Sequence, residues 1–387
     1  MKYKLFIITL CLVLGISVTS NAEGRKKYNF NSDWLISVGD VQGGEKTNLD
    51  DKAWKRVTLP RAFNEDEAFK LSIEKLTDTI CWYRKHFSVP QYEGKKVFVE
   101  FEGVRQGADF YLNGQKLGLH ENGVMAVGFD LTPYMKTGDN VIAVRIDNSW
   151  VYRERRTNSK YQWNDKNFNA NYGGIPKNVW LHVTSPIYQT LPLYSNLKTT
   201  GVYVYATDFD IKGRKATVWA ESEVKNETSS PITLSYRVTL SDAEGKKVGT
   251  FYGDKTTLEA GKTGNLKAHA RISNLNFWSW GYGYLYNVDT EIINKDGKTL
   301  DKVTTRTGFR KTKFGDGKIW LNDRVIQMHG YAQRTSNEWP AVGLSVPAWL
   351  SDYSNNLMVE SGANLVRWMH VTPWKQDVES CDRVGLI

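Results

Sequence analysis

At 387 residues the chain is long enough for two or three domains. Its 41% hydrophobic and 24% charged content is that of a globular protein, and beyond one N-terminal apolar run no stretch reaches the ~20 apolar residues of a membrane-spanning helix. The net charge of +9 is scattered, with no basic helix and no zinc-finger spacing, which excludes nucleic acid as the partner and leaves solubility as the role of the basic excess.

Residues 1–22 read as a secretory signal. Lys2 and Lys4 precede an apolar stretch at 5–16, and Ser20-Asn21-Ala22 offers small residues for cleavage before Glu23. The expected destination is the periplasm or the cell exterior. Cys11 follows Leu10, where a lipid-anchored precursor needs a small residue, so no lipid anchor is expected. Only Cys81 and Cys381 survive cleavage. They lie far apart in differently patterned regions, which speaks against a disulfide, and no Cys or His cluster has metal-ligand spacing.

Residues 23–190 read as an antiparallel β-domain. Apolar runs at 97–101, 110–112, 141–146 and 179–183 are separated by turn signals, among them the two-residue hairpin Asn113-Gly114. Strands at this spacing predict a sandwich or jelly roll. Residues 64–79 form a long polar insertion, read as a solvated loop in preference to one that reaches the mouth of a later domain. Residues 191–308 carry a second set, at 203–209, 216–224, 232–241, 265–272 and 284–293, with turns at 226–230, Glu244-Gly245 and Asp296-Gly297. About seven strands in ~110 residues predict an immunoglobulin-like sandwich. Aromatics reach 13% of the chain; flat rings suit sugar stacking, but they also suit strands and cores, and Trp278 and Trp280 are assigned to the sandwich core.

From residue 309 the pattern changes. A hairpin at 319–328 leads into strand, helix, strand, helix, which builds a parallel sheet. Pro347 is placed as the first helical residue, with Leu350, Tyr353, Leu357 and Val359 as the apolar face and Gly362 as the stop. A strand at 364–369 follows, carrying Arg367. Thr372 is the expected N-cap of a helix whose stripe holds Trp374, Val378, Cys381 and Gly385. Two such units cannot close a (β/α)₈ barrel of about 250 residues. The chain is therefore expected to be the front of a longer enzyme, and the segment after about residue 325, with open sheet edges, is expected to be loosely held.

In order and spacing these residues resemble glycoside hydrolase family 2, which includes β-galactosidases, β-glucuronidases and β-mannosidases. The resemblance runs through WKRVTLP (54–60), WYRK (82–85), FEGV (101–104), YLNG (111–114), FDLT (129–132), Asp139-Asn140 with VRIDN (144–148), GGI (173–175), VWL (179–181), GFR (308–310) and GANLVR (362–367). It implies a jelly-roll sugar-binding-like domain, an immunoglobulin-like β-sandwich and the first two βα units of a TIM (β/α)₈ barrel. It also implies retaining hydrolysis of a terminal β-linked sugar, β-galactosidase-like, in carbohydrate catabolism. That chemistry uses two carboxylates ~5 Å apart. In the family both are glutamates on later barrel strands, so no catalytic residue is assigned within this chain. No organic cofactor is expected; relatives that bind Mg²⁺ hold it with later residues. The implied partner is an oligosaccharide or polysaccharide, with an oligomer possible. The alternative is a non-catalytic carbohydrate-binding or remnant protein.

Five residues are carried to the substrate-binding side. Arg367, His370 and Pro373 match the family's R-x-x-H-x-P pattern. His370 would hydrogen-bond a sugar hydroxyl or serve structurally; Arg367 would orient a catalytic carboxylate or tie strand to loop. Arg334 stands where relatives carry a substrate-contacting histidine. It could bind an acidic or sulfated sugar bidentately, or hold the loop of Glu338. Asn337 and Glu338 mimic the family's catalytic Asn-Glu but fall after the first barrel strand, and are read as rim residues near the substrate.

Overall fold

The computed structural model describes residues 24–123, 125–160, 170–334, 339, 342–369 and 372–387. The expected signal at 1–22 lies outside them. The first unit packs two antiparallel sheets face to face. A four-stranded sheet runs Lys26–Asn29, Val179–Thr184, Lys96–Phe101, Val127–Asp130; a six-stranded one runs Lys55–Val57, Trp34–Val38, Ile80–Phe87, Asn140–Asp147, Gly107–Leu112, Gln115–His120. Trp34, Tyr83, Val99, Phe101, Phe110 and Ile142 fill the space between them. The Asn113-Gly114 turn forms as predicted, with φ of 52° and 82°, the left-handed pair that a tight two-residue hairpin requires. Strand Lys96–Phe101 is buried at nearly every position. Val97, Val99 and Phe101 face the core. Phe98 and Glu100 point the other way and are covered by later parts of the chain: Phe98 packs with Tyr188, Leu191 and Leu193.

The second unit is also a two-sheet sandwich. Lys215–Asn226 lies between Thr263–Ile272 on one side and Val202–Asp210 with Ile187–Gln189 on the other. Its strict alternation of buried and half-exposed residues is the period-2 signature of a strand with one face inward. The facing sheet holds Lys247–Tyr252, Ile232–Ser241, Tyr286–Asn294 and Thr299–Thr307 in order, with Thr256–Leu258 beside Ile232–Ser241. Trp278 is not in this core, contrary to expectation. It packs with Leu285 and Leu321 where the sandwich meets the next segment, and its indole N–H donates to the Asp382 carbonyl at 2.8 Å. Trp280 is 46% exposed.

A three-stranded meander, Thr312–Gly315, Lys318–Leu321 and Arg324–Ile326, leads to the parallel pair Gly330–Arg334 and Leu365–Met369. Helix Ala348–Glu360 connects the pair, and helix Lys375–Val384 follows. Three details differ from the sequence reading. Pro347 is the N-cap (φ −75°, ψ 158°), one residue before the helix. The first helix buries Leu350, Ser351 and Asn355, leaving Tyr353 and Leu357 exposed, because its inner stripe hydrogen-bonds the second helix: the Ser351 hydroxyl donates to Asp377 at 2.7 Å. The cap of the second helix is Trp374, not Thr372, and Val378 is exposed while Asp377, Ser380 and Cys381 turn inward. Cys81 and Cys381 are both buried and free.

The last segment is tied down at several points, so loose attachment is not what the packing provides. Glu102 on the jelly roll accepts hydrogen bonds from the indoles of Trp180 and Trp374, each 2.8 Å, and from Asn178 at 3.1 Å. The Lys177 ammonium lies 4.1 Å from the Trp374 ring centroid, a cation–π contact. The Gly281 amide donates to the Gly385 carbonyl at 2.8 Å.

Candidate functional site

The parallel register pairs Gly330 with Leu365 and Arg334 with Met369. The two strands therefore end side by side. In a βα barrel architecture that end carries the chemistry, because the loops leaving it converge. Arg334 closes the first of these strands, and Arg367, whose side chain is exposed, sits mid-strand opposite Ala332. Asn337, Glu338 and His370 lie outside the described residues, and nothing is placed for the Arg334 side chain.

The described residues that lead from the first of these strands into helix Ala348–Glu360 pack against the jelly roll. Residues 64–79 are not a solvated loop: short 3₁₀ turns at Glu65–Glu67 and Ile73–Lys75 bury Ala68 and Leu76 against Tyr172 and Leu344. The Ala62 amide donates to both the Glu65 carboxylate (2.8 Å) and the Ser345 hydroxyl (3.0 Å). Arg61 forks onto Glu65 at 2.6 Å and Asp66 at 2.5 Å. Burial pushes the Glu65 carboxyl up; Ser345, the Ala62 amide and Arg61 oppose it without cancelling it. Gly343 has φ +47°, and a Cβ there would lie 2.9 Å from the Tyr172 ring, so only glycine lets the loop lie flat on that tyrosine. Asn64 closes the arrangement, donating to the carbonyls of Thr77 (2.8 Å) and Asn171 (2.9 Å).

None of Arg61, Glu65, Tyr172 and Ser345 was singled out from the sequence. The available signal was the alternation in 64–79 of acids with spaced Ala68, Ile73 and Leu76, which buries one side of an irregular segment. Among the described residues no group of three or more His, Cys, Asp or Glu side chains is arranged to hold a metal ion.

Two family models match in the order the folds appear: the "Glycosyl hydrolase 2 galactose-binding domain-like" model over residues 54–181 and the "Glycosyl hydrolases family 2" model over residues 202–310. The chain belongs to glycosyl hydrolase family 2. A β-glucuronidase of Formosa agariphila is 34% identical over 373 residues, covering 94% of this chain and 38% of the relative. A β-galactosidase of Bacteroides ovatus is 27% identical, covering 96% of this chain and 42% of the relative. The solved structure of a β-glucuronidase from glycoside hydrolase family 2 superposes with a TM-score of 0.88 at 33% identity, covering 96% of this chain and 39% of that one. The chain thus spans about two fifths of the length of these relatives. The family 2 assignment and the mainly β architecture with a galactose-binding-like domain agree with the sequence reading.

Proposed function

We propose that this chain serves an exported, retaining family 2 glycosidase that removes a terminal β-linked sugar from an oligosaccharide or polysaccharide. The observation that carries the reading is the paired ends of strands Gly330–Arg334 and Leu365–Met369, with the first following loop walled by Tyr172, Leu76 and the Glu65 turn of the jelly roll. Arg334, Asn337, Glu338, Arg367 and His370 would line the sugar side of that end. In this reading neither catalytic glutamate belongs to the 387 residues; the two carboxylates ~5 Å apart that retention requires come from later barrel strands.

Between β-galactoside and β-glucuronide, the uronide is the better supported sugar. The Formosa agariphila relative is named a β-glucuronidase, and an arginine at position 334 brings the fork that binds carboxylates in pairs of hydrogen bonds. The test is hydrolysis of 4-nitrophenyl β-D-glucuronide and β-D-galactoside by the protein captured from its host's periplasm or culture fluid. Retention of configuration by NMR and faster release from the glucuronide are expected. Absence of β-glycoside cleavage from the captured protein overturns the reading. The 387-residue chain alone is expected to release no nitrophenol; release abolished by Glu338→Gln would make Glu338 catalytic and overturn its assignment to the rim.

A further inference from the structure

A cleft of about 610 Å³ opens where three parts of the chain converge: the outer face of the four-stranded jelly-roll sheet, strand Thr299–Thr307 of the sandwich, and helix Lys375–Val384. Six cationic side chains and three carboxylates line it. Three of the cations are already neutralised by carboxylates beyond the lining: Arg25 by Asp301 (3.0 Å), Lys302 by Asp289 (2.7 Å) and Arg383 by Asp352 (2.7 Å). The other three, one from each converging part, are not held in this way. Lys27 rests 4.1 Å over the Trp180 ring, within the field of Glu100 but in no ion pair given for the described residues. The Arg306 guanidinium acts on Asp382 through its charge but is in no ion pair given for the described residues, and Lys375 reaches Glu379 only at 3.9 Å. His182 also belongs to the lining. Its Nε2 is 2.8 Å from Glu100, while its Nδ1 is buried with no partner, in a residue only 3% exposed.

Six cations against three carboxylates leave the lining with an excess of positive charge, and like charges gathered in one cleft oppose one another. That excess is relieved by a ligand carrying acid and hydroxyl groups. A bare inorganic anion fits poorly, because Glu379 and Asp382 line the same cleft and repel dense negative charge. Those carboxylates accept hydrogen bonds from hydroxyls. The size falls within the range of small-ligand sites. We propose that this cleft binds an acidic saccharide of one or two rings, with Lys27 and Arg306 holding its carboxylate or sulfate and Glu379 and Asp382 its hydroxyls. The site lies between the units, away from the paired strand ends, and goes beyond the glycosidase reading without resting on it. A ligand there touches all three parts and should strengthen their docking.

The test is calorimetric titration of the full chain with D-glucuronate, digalacturonate, glucose 6-sulfate, neutral glucose and sodium sulfate. An acidic sugar should bind at least tenfold more tightly than glucose and more tightly than inorganic sulfate; the glucuronate and glucose 6-sulfate arms say which acid is preferred. Lys27→Met with Arg306→Met should weaken binding by tenfold or more, with an unchanged circular dichroism spectrum. Should that variant misfold, the wild type still decides: raising salt from about 50 to 500 mM must weaken binding severalfold. Saturating sugar should also slow amide exchange in helix Lys375–Val384. The proposal fails if no acidic sugar binds up to about 10 mM, if sulfate alone binds as well, or if binding persists undiminished in the double variant, which would place it elsewhere. Hydrolysis by the captured protein is a separate readout, so either reading can fall while the other stands.

Discussion

Replacing Glu102 by alanine isolates the joint between the jelly roll and the closing helix. The carboxylate is 7% exposed and takes two indole N–H groups at 2.8 Å, from Trp180 on its own sheet and Trp374 at the cap of helix Lys375–Val384. Alanine leaves both donors without an acceptor. A buried donor left unpaired costs about 1–3 kcal/mol, so the change should cost about 2–6 kcal/mol in all, of which the Trp374 half falls on helix docking. In a chain of several units this is read best locally, by native-state hydrogen exchange. Amides of the closing helix should exchange roughly 10- to 100-fold faster in Glu102→Ala, since 1.4 kcal/mol is a factor of ten, while those of the sandwich strand Lys215–Asn226 should not change. Trp374→Phe removes the donor instead and should cost less. The double variant should show a coupling of about 1.5–3 kcal/mol, the worth of a hydrogen bond to a charged group. Exchange rates in the helix within twofold of wild type in Glu102→Ala would falsify the idea that this carboxylate fastens the segment.

Burial holds the Lys177 ammonium down to about 8, against an ordinary 10.5, despite Asp377 and Glu102 nearby. The folded state therefore binds fewer protons than the unfolded one between about pH 8 and 10.5, and stability should rise with pH across that window, by up to ~3 kcal/mol; urea melts of Lys177→Met should lack the rise. Burial pushes the Glu227 carboxyl up, but Lys96, Tyr188 and Lys225 outweigh it and bring it to about 2. Its contribution to the joint between jelly roll and sandwich is thus complete above about pH 4.5 and lost as pH falls toward 2. Glu227→Gln should lower the melting temperature at pH 7 and make progressively less difference on acidification. Burial raises both thiols, Cys381 to about 12, so neither should react with a disulfide reagent until the chain is unfolded by denaturant; reaction of either thiol in the native state contradicts the burial.

The two sandwiches were legible because their signals are local. Alternation in 215–226 and the Asn113-Gly114 turn each fix a strand or hairpin with no knowledge of the rest. The helices after residue 347 were legible in existence but not in face. Hydropathy selected Tyr353, Leu357 and Val378, whereas the structure buries Ser351, Asn355 and Asp377: the Ser351 hydroxyl donates to the Asp377 carboxylate and the Asn355 amide to the Asp377 carbonyl, and hydropathy scores each residue as if it faced water alone. The wall of residues 64–79 was missed for a related reason. Glu65 is acidic, yet the Ala62 amide and Arg61 hold it inside.

The family motifs gain a physical meaning from where they land. Glu102 of FEGV and Trp180 of VWL share one hydrogen bond at the jelly-roll joint. Gly308 of GFR lies where a Cβ would come 2.8 Å from Trp278 Cβ and 2.9 Å from the Tyr284 carbonyl, and the next residue's carbonyl accepts the Trp278 amide at 2.9 Å. Asn364 of GANLVR accepts the His329 amide at 3.1 Å and donates to the Gln327 carbonyl at 2.7 Å, locking the entry to the first parallel strand beside the second. In each case the residue is neither core filler nor chemistry; it fixes how one part of the chain meets another. A displacement of about 1 Å at a reacting centre can cost a hundredfold in rate. The joints therefore need specific residues as much as the reacting groups do. On the proposed glycosidase reading, Glu102→Ala should accordingly lower turnover in the captured protein without touching any group at the strand ends, and the loss should scale with the helix exchange rate across variants at this joint.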